Sequence, residues 1–346
     1  MKISNKKKLS LNIFLLVLVF GIMFYVIRHS LSDILYELKD TPLSILFGIT
    51  FLGVVYQFFE GWSIKATVEG FSKKFTILDG ALTSCYAAFT RVVTFGAGTL
   101  LAEINYYKKK GLKVSQGVGV AALHMIMYKL AILTYALLAF VFQYSYLKRN
   151  IPSVMPFVLV GIIGTALLIL FFLFITISLN LQILFVSISN KIFHKKKFRE
   201  WIDRANIQVY SLRETVYSIL KDRTALFRIY LLNLLKLSMW YLLPFVILRK
   251  GHPEVSFPLF FAMISFTLVL SGVIPAPAGI GSFEFVYMLL FKPLVGTVDA
   301  VSSMLLYRFS SYVLPFILGF FYVLHDRKQA ITGEVEEIKE ENQMKN

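Results

Sequence analysis

The chain has 346 residues, of which 57% are hydrophobic and 16% aromatic, and its mean hydropathy is +0.69. Roughly half of the residues of a soluble domain are apolar, so this composition excludes a soluble fold and indicates a membrane protein with several spans. The net charge of +16 comes from lysines and arginines clustered at the ends of apolar segments, a pattern that sets membrane topology rather than one that binds nucleic acid. With one cysteine and five scattered histidines, no disulfide, metal site or cofactor is predicted.

The first apolar run, Leu9 to Ile27, follows a basic start and is about long enough to span a bilayer. We interpret it as a retained first helix, with a cleaved signal peptide as the alternative. Further spans are predicted at about 43–62, 114–142, 154–188, 225–248 and 298–324. Two other apolar stretches, 77–107 and 257–292, are interrupted by glycine or proline.

Loop charges predict the orientation of these spans. Basic clusters near 2–8, 65–74, 106–113 and 191–204 are expected in the cytoplasm, and the loops near 30–40, 145–152 and 249–256 are expected outside. Both ends of 77–107 then lie inside and both ends of 257–292 lie outside, so each stretch is predicted to be re-entrant. Both termini are predicted to be cytoplasmic.

The two broken stretches are similar in sequence. FGAGTLLAEINY (95–106) aligns with APAGIGSFEFVY (276–287), which pairs Gly98 with Gly279 and Glu103 with Glu284 at an offset of 181. A later alignment pairs Lys129 with Arg308 at an offset of 179. The fold predicted from these patterns is all-α: a polytopic membrane helix bundle with two broken re-entrant segments related as an inverted repeat.

A break in the backbone at membrane depth survives only where protein or a water-filled cavity surrounds it. The predicted breaks lie at Gly96, Gly98, Pro275, Pro277, Gly279 and Gly281. The half-helix after each break presents unpaired N–H groups and the positive end of its dipole to the cavity. Paired broken helices in two halves are typical of secondary transporters, which bind substrate near the midplane.

IPAPAGIGSFEF (274–285) and the stretch from TFGAGTL to QGVGVAAL (94–123) resemble the lysylphosphatidylglycerol synthase transmembrane-region family, and the resemblance extends over nearly the whole chain. It implies a bacterial plasma-membrane protein that moves lipids or lipid-linked sugars between leaflets. The chain departs from the family pattern at Ala278, at Glu103 and in HMIMYKL (124–130), which leaves the headgroup open.

The fused synthases of that family add a soluble catalytic domain after the membrane region. Here, residues 1–325 are expected to form the membrane domain, with a cytoplasmic linker helix at about 190–223, and residues 326–346 a charged cytoplasmic tail. The linker helix is expected to pack against the bundle, with an interfacial helix as the alternative. The external loops are short and hold no catalytic cluster, so enzymatic activity is not expected.

Five ionisable side chains are the candidate substrate contacts: Glu103, Glu284, Arg308, Lys129 and Arg91. Charges inside a membrane cost about 2–3 kcal/mol on insertion scales and are functional by default. Arg308 and Lys129 are predicted to receive a phosphate, and the two glutamates an amine. In the structural alternative, the glutamates cap a half-helix or pair with the cations, and Arg91 snorkels to the interface.

Three other polar residues inside the spans are interpreted as structural. Glu60 and Lys236 are expected in ion pairs, and His124 in a hydrogen bond between packed helices.

Three functions fit these residues. The first is a flippase for an aminoacylated phospholipid or a lipid-linked glycoconjugate. The alternatives are a membrane component of lysylphosphatidylglycerol synthesis, named phosphatidylglycerol lysyltransferase after the family, and a scaffold for a separately encoded transferase. The expected partners are a membrane lipid and a separate aminoacyltransferase or glycosyltransferase, and not a nucleic acid.

Overall fold

The computed structural model describes positions 14, 17 and 21 and residues 32–177 and 216–343, except 277–280. Within these residues every regular element is helical. In chain order the helices are α1 (Ser32–Asp40), α2 (Leu43–Val68), α3 (Ile77–Val93), α4 (Thr99–Lys109), α5 (Val114–Asn150), α6 (Met155–Ile177), α7 (Arg223–Tyr241), α8 (Leu243–Leu248), α9 (Phe257–Ser271), α10 (Ser282–Arg308) and α11 (Leu314–Gln343). A 3₁₀ turn, Pro152–Val154, precedes α6, and a π-helical turn, Phe309–Val313, joins α10 to α11.

Among the described residues, five helical stretches are long and apolar enough to cross a membrane: Leu43–Val68, Val114–Asn150, Pro152–Phe174, Arg223–Leu248 and Ser282–Glu337. They confirm the predicted multi-pass helical bundle and its spans from residue 43 onward. Large apolar side chains such as Phe47, Phe142 and Phe171 are exposed on its outer surface, as expected of a surface in contact with lipid. The predicted first helix and the linker helix at about 190–223 lie almost entirely outside the described residues.

α3 and α4 form the first broken segment. Between them, Phe95 and Gly96 have positive φ angles of 51° and 96°, so the chain turns here instead of continuing as one helix. The turn between the two helices includes Gly96 and Gly98. Asp79 in the first turn of α3 and Lys110 directly after α4 form a salt bridge of 2.7 Å. The two ends of this segment therefore meet at one face of the bundle.

α9 and α10 form the second broken segment. α9 ends at Ser271, Pro275 lies in the connection, and Gly281 adopts a φ of 90° just before α10 begins. The chain is not helical at Pro275 and turns at Gly281, whereas Pro277 and Gly279, two further predicted break positions, lie outside the described part of the chain. Further along, α10 bends at Gly296, where φ is 81° and ψ is 173°, so its two ends belong to separate helical pieces.

Helix boundaries recur along the chain at nearly constant spacing. Arg223 at the start of α7 lies 180 positions after Leu43 at the start of α2, and Phe257 of α9 lies 180 positions after Ile77 of α3. The same spacing relates the helices that precede the two breaks, α3 and α9. The repeat and the inverted orientation of its halves stay predictions.

Glycines allow three helices to pack backbone against backbone. A Cβ atom on Gly80 of α3 would lie 2.3 Å from the carbonyl oxygen of Gly61 of α2, and one on Gly319 of α11 would lie 2.0 Å from that of Cys85 of α3. Such contacts are typical of packed membrane helices, where small residues bring backbones together. The backbones of α2 and α3, and those of α3 and α11, are therefore in direct van der Waals contact.

The second packing unit is built from larger side chains. A continuous buried cluster joins α5, α7, α9 and α10, with Tyr241, Phe260, Phe266 and Phe291 among its fully enclosed members. It holds the second broken segment against the long helix α5.

The last helix extends beyond the expected end of the membrane domain. α11 continues to Gln343, and the segment expected to be a charged tail is helical because its Glu, Lys and Ala residues favour a helix. Lys109 at the end of α4 fastens it through a 2.7 Å salt bridge to Asp326.

Candidate functional site

A cavity of about 320 Å³ lies between α3, α5, α7, α9 and α10. Its lining residues are Arg91, Tyr128, Lys129, Ile132, Trp240, Leu268, Ser271, Gly272, Ser282, Phe283, Tyr307, Arg308, Ser311 and Tyr312. Both broken segments contribute to it, because Arg91 comes from the last turn of α3 and Ser271, Gly272 and Ser282 flank the second break. The breaks therefore border a cavity, as backbone at membrane depth requires.

Three cations from three different helices converge on this cavity. Arg91 comes from α3, Lys129 from the middle of α5, and Arg308 from the last residue of α10. Since like charges repel inside a low-dielectric site, three converging cations favour a negatively charged occupant.

Lys129 reaches the cavity over a glycine. Its Nζ atom donates a hydrogen bond of 3.4 Å to the carbonyl oxygen of Gly272. A Cβ atom at Gly272 would lie 2.7 Å from that Nζ. The absence of a side chain at the end of α9 therefore provides the room in which the ammonium group lies.

Glu284 holds Arg308 in place. The Arg308 Nε and Nη2 atoms each lie 2.7 Å from Glu284 Oε1, and Glu284 Oε2 accepts a 2.7 Å hydrogen bond from the Gly281 N–H. The guanidinium group also lies 4.4 Å above the centre of the Phe283 ring. Glu284 thus both caps the start of α10 and fixes the orientation of a cavity cation.

Three hydrogen-bond donors in the lining have no partner among the described residues: the Tyr307 and Tyr312 hydroxyls and the Trp240 indole N–H. Buried donors are nearly always paired in a folded protein. These three donor atoms are fully enclosed beside the cavity, so they become available to a ligand rich in acceptor oxygens only if the side chains around them shift.

The structure brings together three of the five predicted site residues and places the other two differently. Arg91, Lys129 and Arg308 line the cavity, so Arg91 contributes to it instead of only lying at the interface. Glu284 lies behind Arg308. Glu103 does not line the cavity: it lies in α4, partly buried, and Arg91 and Lys236 are the cations that act on it electrostatically.

At the first break the Gly98 N–H donates a hydrogen bond of 2.7 Å to the Thr94 hydroxyl oxygen. This backbone N–H group therefore already has a partner within the protein. Sequence reasoning missed Trp240, Tyr307 and Tyr312, because aromatic residues inside an apolar span give no sign of which face they occupy.

The residues interpreted as structural are paired with one another. Lys236 of α7 forms an ion pair with Glu60 of α2, and His124 Nε2 of α5 lies 3.3 Å from Lys236 Nζ. The expected ion pair and hydrogen bond are confirmed.

Comparison with known proteins gives two matches. The profile of the family described as "Lysylphosphatidylglycerol synthase TM region" matches residues 11–319. The "Uncharacterized protein slr0712" of Synechocystis sp. (strain ATCC 27184 / PCC 6803 / Kazusa) is 32% identical over 88 residues, which are 24% of this chain and 27% of that relative. The family match thus contains both broken segments and every cation of the cavity, while the chain matches about a quarter of the curated relative.

Proposed function

Because this chain belongs to the lysylphosphatidylglycerol synthase TM region family, we propose that it moves a phosphate-bearing lipid between the leaflets of the bacterial cell membrane. The cargo is an aminoacylated phospholipid of the lysylphosphatidylglycerol kind or a lipid-linked glycoconjugate. The observation that carries this proposal is the convergence of Arg91, Lys129 and Arg308 on one cavity at the two helix breaks.

The phosphate of the lipid binds to the three cations. A headgroup that enters the membrane loses its water, and this loss is offset only if protein groups take over the hydrogen bonds. Arginine and lysine form charge-assisted hydrogen bonds to phosphate oxygens. The hydroxyl groups of Tyr307 and Tyr312, which have no partner among the described residues, are the neutral donors nearest to this site and reach the same oxygens once the side chains shift.

Glu284 distinguishes a cationic headgroup from a neutral one. Its carboxylate lies behind Arg308, which lines the cavity, and 30% of the Glu284 side chain is exposed. A carboxylate has acceptor sites beyond the contacts with Arg308 and the Gly281 N–H, so an ammonium group attached to the lipid binds to it while the phosphate binds to the cations. We assign Glu103 no direct contact with the cargo, because it does not line the cavity and no ion pair among the described residues joins it to a cavity cation.

Translocation of fluorescent lipids by the purified chain in liposomes tests the proposal. Arg308→Gln should reduce translocation of phosphatidylglycerol and lysylphosphatidylglycerol alike by about tenfold or more, since it removes a charged donor to the shared phosphate. Glu284→Gln keeps the shape but removes the charge, so it should impair lysylphosphatidylglycerol several-fold more than phosphatidylglycerol. Glu336→Gln, at an exposed position of α11, serves as the matched control.

Two results contradict the proposal. If the wild-type chain translocates neither lipid on its own, a scaffold for a separate transferase replaces the flippase as the favoured function. If Glu284→Gln reduces the translocation of both lipids equally, this glutamate stabilises the fold and does not recognise an amine.

A further inference from the structure

A second group of ionisable side chains lies next to the cavity and has no role in binding the cargo. Glu60 of α2, His124 of α5 and Lys236 of α7 meet inside the bundle. Lys236 has 0% of its surface exposed, and the His124 side chain is 13% exposed. We call these three residues the buried triad.

The geometry of the triad gives one nitrogen atom two incompatible partners. His124 Nε2 lies 3.3 Å from Glu60 Oε2 and 3.3 Å from Lys236 Nζ. With Nδ1 protonated in both states, a bare Nε2 accepts a hydrogen bond from the Lys236 ammonium, whereas a protonated Nε2 makes the ring an imidazolium that donates one to the Glu60 carboxylate. Both arrangements are available without moving a helix, so the triad holds His124 ready in either state.

Protonation of His124 changes the charge of the triad. Glu60 and Lys236 cancel each other, so the triad is neutral with a neutral imidazole and carries one positive charge with an imidazolium. Among the described residues, the other ionisable groups that face it are Glu103 and Tyr107 of α4, Arg91 of α3, Tyr56 of α2 and Tyr128 of α5. α6 and α9, which also pack on α5, contain no ionisable residue.

One aromatic ring separates the triad from the cationic cavity. The Lys236 ammonium lies 4.8 Å from the centre of the Tyr128 ring, and Tyr128 lines the cavity beside Lys129. Trp240, one helical turn after Lys236, lines the cavity as well. A charge that enters the cavity therefore acts on the triad through low-dielectric material, where electrostatic interactions are strong.

We propose that the buried triad is a proton-binding site, and that a proton on His124 and an anion in the cationic cavity each strengthen the binding of the other. An anion favours a nearby positive charge, so anion binding draws a proton from solvent to His124 Nε2. Linkage requires the reverse effect by the same factor. The inference rests on the proposed function, since it takes the anion to be a lipid phosphate.

Calorimetry tests the linkage directly. Short-chain phosphatidylglycerol is titrated into the purified full-length chain in detergent, in buffers that differ in their enthalpy of protonation, so that the number of protons taken up is measured with the Kd. The wild-type protein should take up a substantial fraction of a proton per lipid, and its Kd should decrease several-fold when the pH is lowered from about 8 to about 6, as linkage requires. Neither effect depends on measuring transport.

His124→Gln and His124→Asn should bind the lipid with no proton uptake and with a Kd that does not change with pH. Either variant suffices if the other does not fold. The matched control is His325→Gln, because His325 is exposed on α11; it should retain the wild-type uptake.

The outcomes that overturn the inference are distinct from those that overturn the proposed function. Lipid binding without proton uptake in the wild-type chain overturns the linkage and leaves the proposed cargo standing. If proton uptake persists in both His124 variants and is lost in Glu103→Gln, the proton binds to Glu103. That result overturns the assignment to the triad. Absence of lipid binding contradicts the proposed function, and the inference fails with it.

Discussion

The His252 imidazole and the Asp299 carboxylate lie 2.7 Å apart although 47 positions separate them in the chain. Together they close the second broken segment in the same way that the salt bridge between Asp79 and Lys110 closes the first. Each hairpin of broken helices is thus fastened at its open end by an ion pair outside the apolar core.

The His252 contact should stabilise the protein most at low pH. Burial alone lowers the pKa of His252, but its hydrogen bonds to Asp299 and Glu254 raise it by more, so the net pKa lies above the usual value. The stabilisation is therefore fully present below the unfolded-state pKa of about 6.5 and is lost as the pH rises through the higher folded-state pKa. His252→Gln should destabilise the loop by about 0.5–1 kcal/mol at low pH and by nearly nothing at high pH.

Hydrogen exchange of the loop 249–256, compared between wild type and His252→Gln at low and at high pH, measures this difference. His325→Gln is the control, because that exposed histidine does not contact the loop. If His252→Gln reduces the protection of the loop from exchange equally at both pH values, the protonated imidazole has no special role.

The orientation of the bundle predicts which exposed loop residues react with an impermeant thiol reagent. Cys85 is the single native cysteine, and it is buried. A Cys85→Ser variant therefore has no native thiol that the reagent could label. Lys250→Cys should react from outside intact cells, and Lys73→Cys only after the membrane is permeabilised. Both positions are exposed. Labelling of Lys250→Cys only from the cytoplasm contradicts the inverted relation of the two halves.

Gly272→Ala should weaken anion binding without unfolding the protein. The new methyl group would lie 2.7 Å from Lys129 Nζ, and the flexible lysine side chain gives way by moving its charge out of the cavity. We expect the affinity for short-chain phosphatidylglycerol to fall about tenfold, as for one lost charge-assisted hydrogen bond. Gly70→Ala, where nothing lies within 4 Å, is the control. Unchanged affinity would show that Lys129 does not contact the lipid.

Gly319→Val should prevent α11 from packing on α3. Its Cβ atom would lie 2.0 Å from a backbone oxygen, and backbone cannot move aside as a side chain does. We expect a loss of more than about 3 kcal/mol of stability, seen as a much lower unfolding temperature in detergent. Gly333→Val places the same side chain further along α11 with nothing within 4 Å, so it isolates the contact from the intrinsic helix preference. Similar unfolding temperatures for both variants contradict the prediction.

Much of the fold follows from local sequence signals. Runs of apolar residues predict the spans, and the positive φ angles at Gly96 and Gly281 show why the breaks fall where glycine permits them. The bend at Gly296 and the π-helical turn at Phe309–Val313 were not predicted, because they depend on how the two halves of α10 pack against other helices.

The candidate site was predicted less completely, for a physical reason. Intramembrane charge identifies Arg91, Lys129 and Arg308 as candidates whatever their surroundings. Their convergence depends on helix rotation, which also decides that Glu103 lies elsewhere and that Trp240 enters the lining. A single sequence of uniformly apolar spans carries little information about rotation.

The glycine contacts between α2, α3 and α11 also limit how the molecule can move. Backbones that touch at Gly80 and Gly319 cannot slide past each other, so these helices can travel only as one block. Arg91 lies on α3, in that block, whereas Lys129 lies on α5, in the other packing unit, and α2 joins the two units through Ile49 and Leu52. In the proposed transport, a displacement of α5 relative to α3 would change the distance between these two cations and so weaken their joint contact with a phosphate.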